Sequence, residues 1–283
     1  MCLIAVAIGQ HPRWPLVIAA NRDEFLQRPS AALDWWHDEA GALPWLGGRD
    51  LHAGGTWMAL NTQGRIAMLT NVRNLDRHVP TAPSRGAIVP AWLTTRASAD
   101  DFWPGIASRG CNPFNLLAGD VTSGRWWWAD DRAKAPLALQ TGLFGLSNAA
   151  LDTPWPKVQR LKAALAAALE GSASGTAIES ALFAALADAN APPDDTLPDT
   201  GIGIERERRL GAAFIRMPDG RYGTRSSSLL LVEGSGTTAR LRMVERQFDA
   251  DGTAITQRGS TPAALPLAGN TLPAVQLEAI SAS

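Results

Sequence analysis

The sequence has few cysteines and almost no net charge, and each shortage excludes a class of protein. Two cysteines, Cys2 and Cys111, among 283 residues are too few for the disulfide framework of a small secreted domain. These cysteines and the four histidines are scattered, and no metal-binding spacing is present. A formal net charge of −1 argues against a nucleic-acid partner, which would need a basic stripe.

Membrane and export signals are missing as well. No apolar stretch reaches the length of about 18 residues that a transmembrane helix needs, so stable membrane insertion is not expected. The apolar N-terminal run is short and lacks both a basic flank and a signal-peptidase site. A cytoplasmic location is therefore the default expectation.

The chain does contain ample apolar sequence. Hydrophobic residues make up 46% and charged residues 19%, which is typical of a globular protein with a large core. Eleven tryptophans either fill that core and the pocket walls or line a site for a planar ligand.

The first 24 residues predict a β-hairpin. Residues 3–8 and 16–20 are apolar runs typical of buried strands, and one glycine and two prolines lie between them. Antiparallel pairing around that turn sets Cys2 opposite Arg22, within one or two residues. The hairpin therefore brings the polar cluster of residues 21–24 to the start of the chain.

Cys2 carries the strongest chemical hypothesis. A cysteine in second position is small enough for removal of Met1 to be expected, which would leave a thiol and an α-amine on one residue. The amine, with a pKa of about 8, is a base near neutrality, and the thiolate is a strong nucleophile whose pKa the adjacent ammonium would depress. This combination is that of N-terminal-nucleophile catalysis, with Asp23 or Asn21 orienting the amine. The alternative is an inert strand residue.

The remaining strands mostly connect as hairpins, which predicts antiparallel sheets. Apolar stripes predict helices over 157–169 and 178–189, packed together on one outer face. The Pro- and Trp-containing residues 26–48 are interpreted as a surface loop, and residues 212–217 as a strand.

Polar residues end several apolar strands. Asn71 and Asn148 each stand at such an end, where a side-chain amide either donates to a developing oxyanion or caps a turn. Arg225 either clamps a carboxylate or phosphate or pairs with Asp23. Because strand neighbours alternate, Arg22 and Glu24 are expected to face away from the site to which Asn21 and Asp23 point.

A series of short motifs follows in order from residue 1 to about residue 250. Together they resemble the NRDE family, also called the transport-and-Golgi-organisation protein two family. The motifs are Met1-Cys2, Ala20-Asn21-Arg22-Asp23-Glu24-Phe25, Gly54-Gly55-Thr56-Trp57, Leu69-Thr70-Asn71, Phe114-Asn115-Leu116, Phe144-Gly145-Leu146-Ser147-Asn148, Thr153-Pro154-Trp155-Pro156-Lys157 and Tyr222-Gly223-Thr224-Arg225-Ser226-Ser227.

The resemblance implies an α+β fold of the N-terminal-nucleophile-hydrolase type, a four-layer α-β-β-α sandwich of two antiparallel sheets. Residues 1–258 would form this single domain, followed by a loosely packed tail over 259–283. A more distant resemblance runs to bile-salt hydrolases, penicillin V acylases and acyl-coenzyme A–dependent acyltransferases. In that comparison Asn148 corresponds to the oxyanion asparagine and Asn71 to a second pocket asparagine, while Ala20 replaces an arginine.

Two functions remain open at this stage. The first is a cysteine amidohydrolase or acyltransferase that acts on an amide or thioester of a small or lipid-like substrate and needs neither metal nor cofactor. The second, from the family's links to lipid and haem handling, is a non-catalytic carrier that binds haem, acyl-coenzyme A or lipid in the same pocket. The candidate catalytic residues are Cys2, Asp23, Asn148 and Asn71, and the candidate substrate contacts are Asn21, Arg22, Arg225 and Trp57.

Overall fold

The computed structural model describes the chain apart from short segments. The described residues are 2–37, 43–171, 174–234, 239–261, 263–264 and 272–280.

The described strands build two antiparallel sheets. Along the chain they are β1 (Cys2–Ile8), β2 (Leu16–Phe25), β3 (Ser30–Trp36), β4 (Trp45–Asp50), β5 (Met58–Asn61), β6 (Arg65–Asn71), β7 (Phe114–Asp120), β8 (Arg125–Asp130), β9 (Leu137–Leu139), β10 (Gly142–Leu146), β11 (Tyr222–Glu233), β12 (Arg240–Phe248), β13 (Ala254–Ser260), β14 (Ala263–Ala264) and β15 (Val275–Leu277). The first sheet has the order β10-β1-β2-β11-β12-β13-β15, with β14 beside β12, and the second runs from β3 to β9 in sequence order.

Five α-helices connect or cover these strands. They are α1 (Ile88–Thr94), α2 (Ala99–Ala107), α3 (Pro156–Gly171), α4 (Gly175–Leu186) and α5 (Ile204–Leu210) among the described residues. No helix in this part of the chain combines the length and the apolar character needed to cross a membrane.

The first sheet is buried on both faces, which explains the unbroken apolar sequence of β1. Leu3 and its alternate neighbours on β1 pack against α3 and α4. Ile4 and the other set pack against residues of the second sheet, such as Met68. On the far side of the second sheet, Trp45 joins a third core with residues of α1 and α2. Three cores thus separate four layers, helices–sheet–sheet–helices, and the predicted sandwich is confirmed.

The structure also confirms the predicted register of the first hairpin and the predicted helix pair. Cys2 lies opposite Arg22 across β1 and β2. Helices α3 and α4 pack together on the outer face of the first sheet, and their bounds lie within three residues of those predicted from the apolar stripes.

The interpretation of residues 26–48 as a loop is wrong. The segment contains β3 and leads into β4, which pair with each other. Gly47 and Gly48, at the end of the segment, serve close packing inside the sheet. A Cβ atom on Gly47 would lie 2.6 Å from Met58 O, and one on Gly48 would lie 2.4 Å from Trp57 Cη2, so only glycine fits there.

The strand predicted over residues 212–217 is also wrong. This segment is irregular apart from a single bridge from Arg216 to Gly223. Its apolar residues are buried because the segment crosses the end of the first sheet, where Ile215 N donates to Thr224 Oγ1 (2.8 Å) and Thr224 N donates to Ile215 O (2.8 Å).

Parts of the expected tail belong to the first sheet. Strand β13 includes Gly259 and Ser260, and β15 pairs with β13 along its edge. A domain boundary at residue 258 stays a prediction.

The helix layer suggests a stability test. Leu165 on α3 is fully buried in the core beneath the helices, so Leu165→Ala removes apolar contacts and leaves a cavity. We expect the free energy of unfolding to fall by about 2–5 kcal/mol, measured by urea denaturation. The control, Glu170→Ala, changes an exposed residue of the same helix and should stay within about 0.5 kcal/mol of wild type. Equal effects of the two substitutions would contradict the packing described here.

Candidate functional site

The hairpin register sets the two faces of the site. Cys2 and Arg22 are directly opposite each other on neighbouring strands, so their side chains point to the same face of the sheet. That face is the one on which Ile4 meets the second sheet. The expectation that Arg22 faces away from the site is therefore wrong, because Arg22 shares the face of the Cys2 thiol, whereas Asn21 and Asp23 alternate to the helix side.

Arg22 and Trp57 form a contact on the thiol face. The Arg22 guanidinium carbon lies 4.3 Å from the centre of the Trp57 ring, a cation–π distance. Arg22 Nη1 donates to Ser30 Oγ (3.2 Å), and Nη2 lies 3.6 Å from Glu24 Oε2. The structure thus brings together Cys2, Arg22 and Trp57, three of the candidates proposed from the sequence.

A buried carboxyl group, Glu245, lies on the same face, and sequence reasoning missed it. Glu245 Oε1 accepts a hydrogen bond from Leu33 N (2.9 Å), and Oε2 accepts one from the Ser228 hydroxyl (3.2 Å). Burial raises its pKa to about 7, against which these hydrogen bonds act. The sequence did contain a signal, because alternate residues of a strand share one face and Glu245 is on the same face of β12 as the core residues Leu241 and Met243.

Asn21 and Asp23 lie on the helix side. Asn21 Nδ2 donates to Leu186 O and to Ala213 O, both at 2.9 Å, and Asn21 Oδ1 accepts from the Ser227 hydroxyl (2.6 Å). Its side-chain amide therefore links β2 to the end of α4 and to the irregular segment after α5.

Asp23 is held by groups from β11. Thr224 Oγ1 donates to Asp23 Oδ1 (2.8 Å), and the Tyr222 hydroxyl donates to Asp23 O (3.1 Å). Burial raises the pKa of the Asp23 carboxyl, and the charge of the amino terminus and, to a smaller extent, that of Lys157 lower it. Arg225, the next residue on β11, is half-buried at a β-bulge and donates instead to Leu26 O (2.7 Å).

A second buried charge near Asp23, Lys157, was also missed. Its side chain is buried, and Nζ donates to Leu210 O (2.9 Å). Burial lowers the pKa of Lys157 to about 8, although the Asp23 carboxylate acts in the opposite direction. The signal in the sequence was its position four residues before Leu161, on the buried stripe of α3.

Asn148 and Asn71 meet next to Cys2. The Ser147 hydroxyl donates to Cys2 O (3.0 Å), and Asn148 Nδ2 donates to Asn71 O (2.8 Å). The ends of β1, β6 and β10 are therefore joined by hydrogen bonds. Together with the pairing of Cys2 and Arg22, these contacts place four candidate residues around the start of β1: Cys2, Arg22, Asn71 and Asn148.

The Cys2 thiol is desolvated. Burial raises the pKa of the Cys2 thiol, the charge of the amino terminus lowers it, the negative charge of Asp23 raises it further, and the charge of Arg22 lowers it. Desolvation of the buried thiolate outweighs the neighbouring positive charges while Met1 is in place, and the depression expected from an α-ammonium on Cys2 itself stays a prediction. A base is therefore needed to generate the thiolate.

The tryptophans are spread over the molecule. Trp14 packs on the helix side of the first sheet, Trp126 between the sheets, and Trp127 beneath α1 and α2. Near the candidate site are Trp57, under Arg22, and Trp155, whose ring centre lies 5.3 Å from the Arg73 guanidinium carbon. Most tryptophans thus fill cores.

Two antiparallel sheets with helices on both outer faces define the class of this protein, and a buried cysteine lies at the start of β1, between β10 and β2. The chain is an α+β protein of the four-layer α-β-β-α kind.

The chain belongs to the Transport and Golgi organisation 2 family, whose model matches residues 1–250. It is 32% identical over 257 residues to the Transport and Golgi organization protein 2 homolog of Bos taurus, covering 83% of this chain and 90% of that one. The Homo sapiens homolog is 32% identical over 255 residues, with the same shares covered. The resemblance found in the sequence motifs is thereby confirmed.

Among solved structures, a Caenorhabditis elegans N-acylethanolamine-hydrolyzing acid amidase ortholog aligns with a TM-score of 0.44 and 9% identity, covering 81% of this chain and 92% of that one. A conjugated bile acid hydrolase variant from Clostridium perfringens aligns with a TM-score of 0.42 and 8% identity, covering 86% and 92%. Likenesses this weak carry no argument, and the fold class rests on the sheets and cores of the chain itself.

Glu245 suggests a test of pH-dependent stability. Its pKa in the folded protein, about 7, lies above the ordinary value of 4.5, so the folded state retains a proton that the unfolded state has already released. Its contribution to the free energy of unfolding therefore falls as the pH rises from about 4.5 through 7. The side chain introduced by Glu245→Gln stays neutral, so this fall in the free energy of unfolding does not occur in the variant.

We expect the free energy of unfolding of Glu245→Gln, relative to that of wild type, to rise between pH 5 and pH 8 by on the order of 3 kcal/mol at most. Urea denaturation of both proteins at both pH values is the measurement. A difference between the two proteins that does not change with pH would show that Glu245 ionises normally in the folded state.

Proposed function

We propose that this protein transfers or hydrolyses acyl groups, with Cys2 as the nucleophile toward an amide or thioester of a small or lipid-like substrate. One observation carries the proposal: hydrogen bonds and strand pairing gather polar strand ends around Cys2 inside otherwise apolar layers. Buried polar groups are costly unless they serve a function or a network.

Removal of Met1 is the first step of the proposed mechanism, because it places an α-amine on Cys2. The amine takes the thiol proton as the sulfur attacks the carbonyl carbon, and it then gives that proton to the departing amine or thiol. Water or a second acceptor then releases the acyl group from sulfur. A buried thiol with a raised pKa suits this scheme, because the proton leaves only when the base and the substrate are both present.

Asn148 is the proposed donor to the oxyanion that forms in this step. A side-chain amide nitrogen has two N–H groups, and one of them is directed to Asn71 O. That bond orients the side chain, and the second N–H is available for the substrate oxygen. The role of Asn71 in this scheme is to position Asn148 through its backbone carbonyl.

The substrate contacts divide by face. Arg22, stacked on Trp57, shares the thiol face and is the proposed partner of a polar substrate group. Asp23 lies on the opposite face and is the proposed orienting group for the amine. Asn21 positions β2, since its amide is bonded to protein carbonyls, and Arg225 is proposed as a contact at the rim.

The carrier function, with haem or an acyl chain as ligand, has no observation that favours it. The tryptophans are divided among three cores. All four histidines are at least partly exposed at the surface, so the residues around Cys2 supply no histidine as an axial ligand for haem. The proposed chemistry needs neither a metal nor a cofactor.

The proposal predicts that Cys2→Ala abolishes turnover of amide and thioester substrates, because the nucleophile is lost. Cys2→Ser keeps the amine and a weaker nucleophile, so its rate should fall strongly. Release of amine or thiol from a panel of acyl amides and acyl thioesters is the measurement, with Cys111→Ala as the control that keeps wild-type rates. Intact mass of the native protein reports whether Met1 is removed.

Full turnover in Cys2→Ala would contradict the proposed nucleophile, and full turnover by protein that retains Met1 would contradict the proposed base. Absence of turnover, combined with tryptophan quenching by haem or by a long-chain acyl-coenzyme A that Cys2→Ala leaves unchanged, would support the carrier instead.

A further inference from the structure

Lys157 occupies a position that local rules disfavour. It lies in the first turn of α3, where the positive end of the helix dipole repels a cation. Its side chain is only 2% exposed, and burying an ammonium group is costly without a partner of opposite charge. Nothing in the packing of α3 requires a charge there, since Leu161 continues the same stripe with an apolar residue. A cost of this kind is typical of functional sites.

The surroundings of Lys157 leave Asp23 as its main counter-charge. Glu207, the other nearby carboxylate, is paired with Arg73, with Nη1 and Oε2 2.7 Å apart. Of the groups that stabilise the Lys157 ammonium, Asp23 has the largest effect. The space beside Lys157 is a cavity of about 10 Å³, at the lower limit for one water molecule, so solvent screens these charges weakly.

The segment after α5 holds Lys157 and Asp23 in one arrangement. Leu210 O accepts from Lys157 Nζ (2.9 Å). Five residues further on, Ile215 donates through its N–H to Thr224 Oγ1, which in turn donates to Asp23 Oδ1 (2.8 Å). One short stretch of backbone therefore positions the ammonium directly and the carboxylate through one hydroxyl group.

The geometry points to Lys157 as a positioning residue for Cys2: its buried ammonium balances the Asp23 carboxylate and thereby favours the thiolate form of Cys2. This inference rests on the proposed function, because it assigns Lys157 a part in activating the same nucleophile. The Asp23 carboxylate opposes a second negative charge on the thiol. Lys157 is the side-chain cation with the largest effect on Asp23, so together with the amino terminus it offsets that opposition, and it adds a direct attraction to the thiolate.

Other charged groups act on the two side chains. Around Lys157 they are Asp23, Arg73, Cys2 and Glu207, and around Cys2 they also include the amino terminus, Arg22, Glu24, Arg85 and Tyr222. Lys157 differs from the two arginines beside Cys2 in one useful respect, since its pKa of about 8 means that its charge is lost within an accessible pH range.

The test measures the alkylation rate of Cys2 by iodoacetamide between pH 6.5 and 10, in a Cys111→Ser background that leaves one thiol. Lys157→Gln keeps a hydrogen-bond donor for Leu210 O but removes the charge. We expect its rate at pH 7 to be about threefold to tenfold lower than that of the background protein, since a tenfold change corresponds to one pKa unit. The difference should narrow above about pH 9, where Lys157 is itself neutral.

Two controls separate charge from structure. Lys157→Arg keeps the charge and should alkylate at pH 7 within about twofold of the background protein. Lys162→Gln makes the same chemical change on the same helix, at a partly exposed residue paired with Asp152, and should leave the profile unchanged. A Lys157→Gln profile that superimposes on the background, or that is lower by one constant factor at every pH, overturns the inference.

If Lys157→Gln does not fold, the double variant Asp23→Asn/Lys157→Gln is compared with Asp23→Asn, since both buried charges are then absent from the double variant. The direct attraction to the thiolate predicts slower alkylation of the double variant at pH 7, and equal rates overturn the inference.

Alkylation requires no turnover. If the protein has no acyl-transfer activity but Lys157→Gln shows the pH-dependent loss of alkylation rate, only the proposed function is refuted. If turnover depends on Cys2 but Lys157→Gln leaves the alkylation profile unchanged, only the role of Lys157 is refuted.

Discussion

The antiparallel pairing of β1 with β2 is the constraint on which the rest of the site depends. Because opposite residues share a face, the register that sets Cys2 across from Arg22 decides what each polar side chain can reach. It directs Arg22 toward the second sheet, where Trp57 receives it, and sends Asp23 toward the helix layer. A slip by one residue would exchange these faces, and the buried strands on both sides would then receive charges with no partners.

Burial gives the site its electrostatic character. Cys2, Asp23, Lys157 and Glu245 lie inside apolar layers, and burial shifts each pKa toward the neutral form of the group. Hydrogen bonds and opposite charges act against these shifts and restore part of the charge. Lys157, with a pKa of about 8, and Glu245, with a pKa of about 7, consequently gain or lose protons close to neutral pH, as proton transfer in catalysis requires. The same burial makes each of them a cost to stability, which connects the pH dependence of folding to the proposed chemistry.

Several features were predictable because they depend on local pattern. The hairpin register followed from two apolar runs and a short turn, and α3 followed from its apolar stripe. The strand β4 was missed because the polar and Pro-containing sequence before it favours a loop, while Gly47 and Gly48 are required here by close contacts with Met58 and Trp57. Those contacts join residues of neighbouring strands, and no local pattern reveals them. Lys157 and Glu245 are charged residues at positions where the apolar periodicity of α3 and β12 predicts a buried apolar side chain. Such an exception is informative only when that face of the helix or strand is known to be buried.

The sequence by itself determined the family, the antiparallel α+β layering and the meeting of Cys2 with the polar cluster of residues 21–24, because motifs, periodicity and hairpin closure act over short stretches of chain. Only the tertiary structure decided which face each polar residue takes, that the Cys2 thiol is desolvated, and that Lys157 rather than Arg225 is the cationic side chain with the largest effect on Asp23. Those outcomes depend on which distant segments cover each face and how completely they exclude water, and such contacts join residues more than a hundred positions apart.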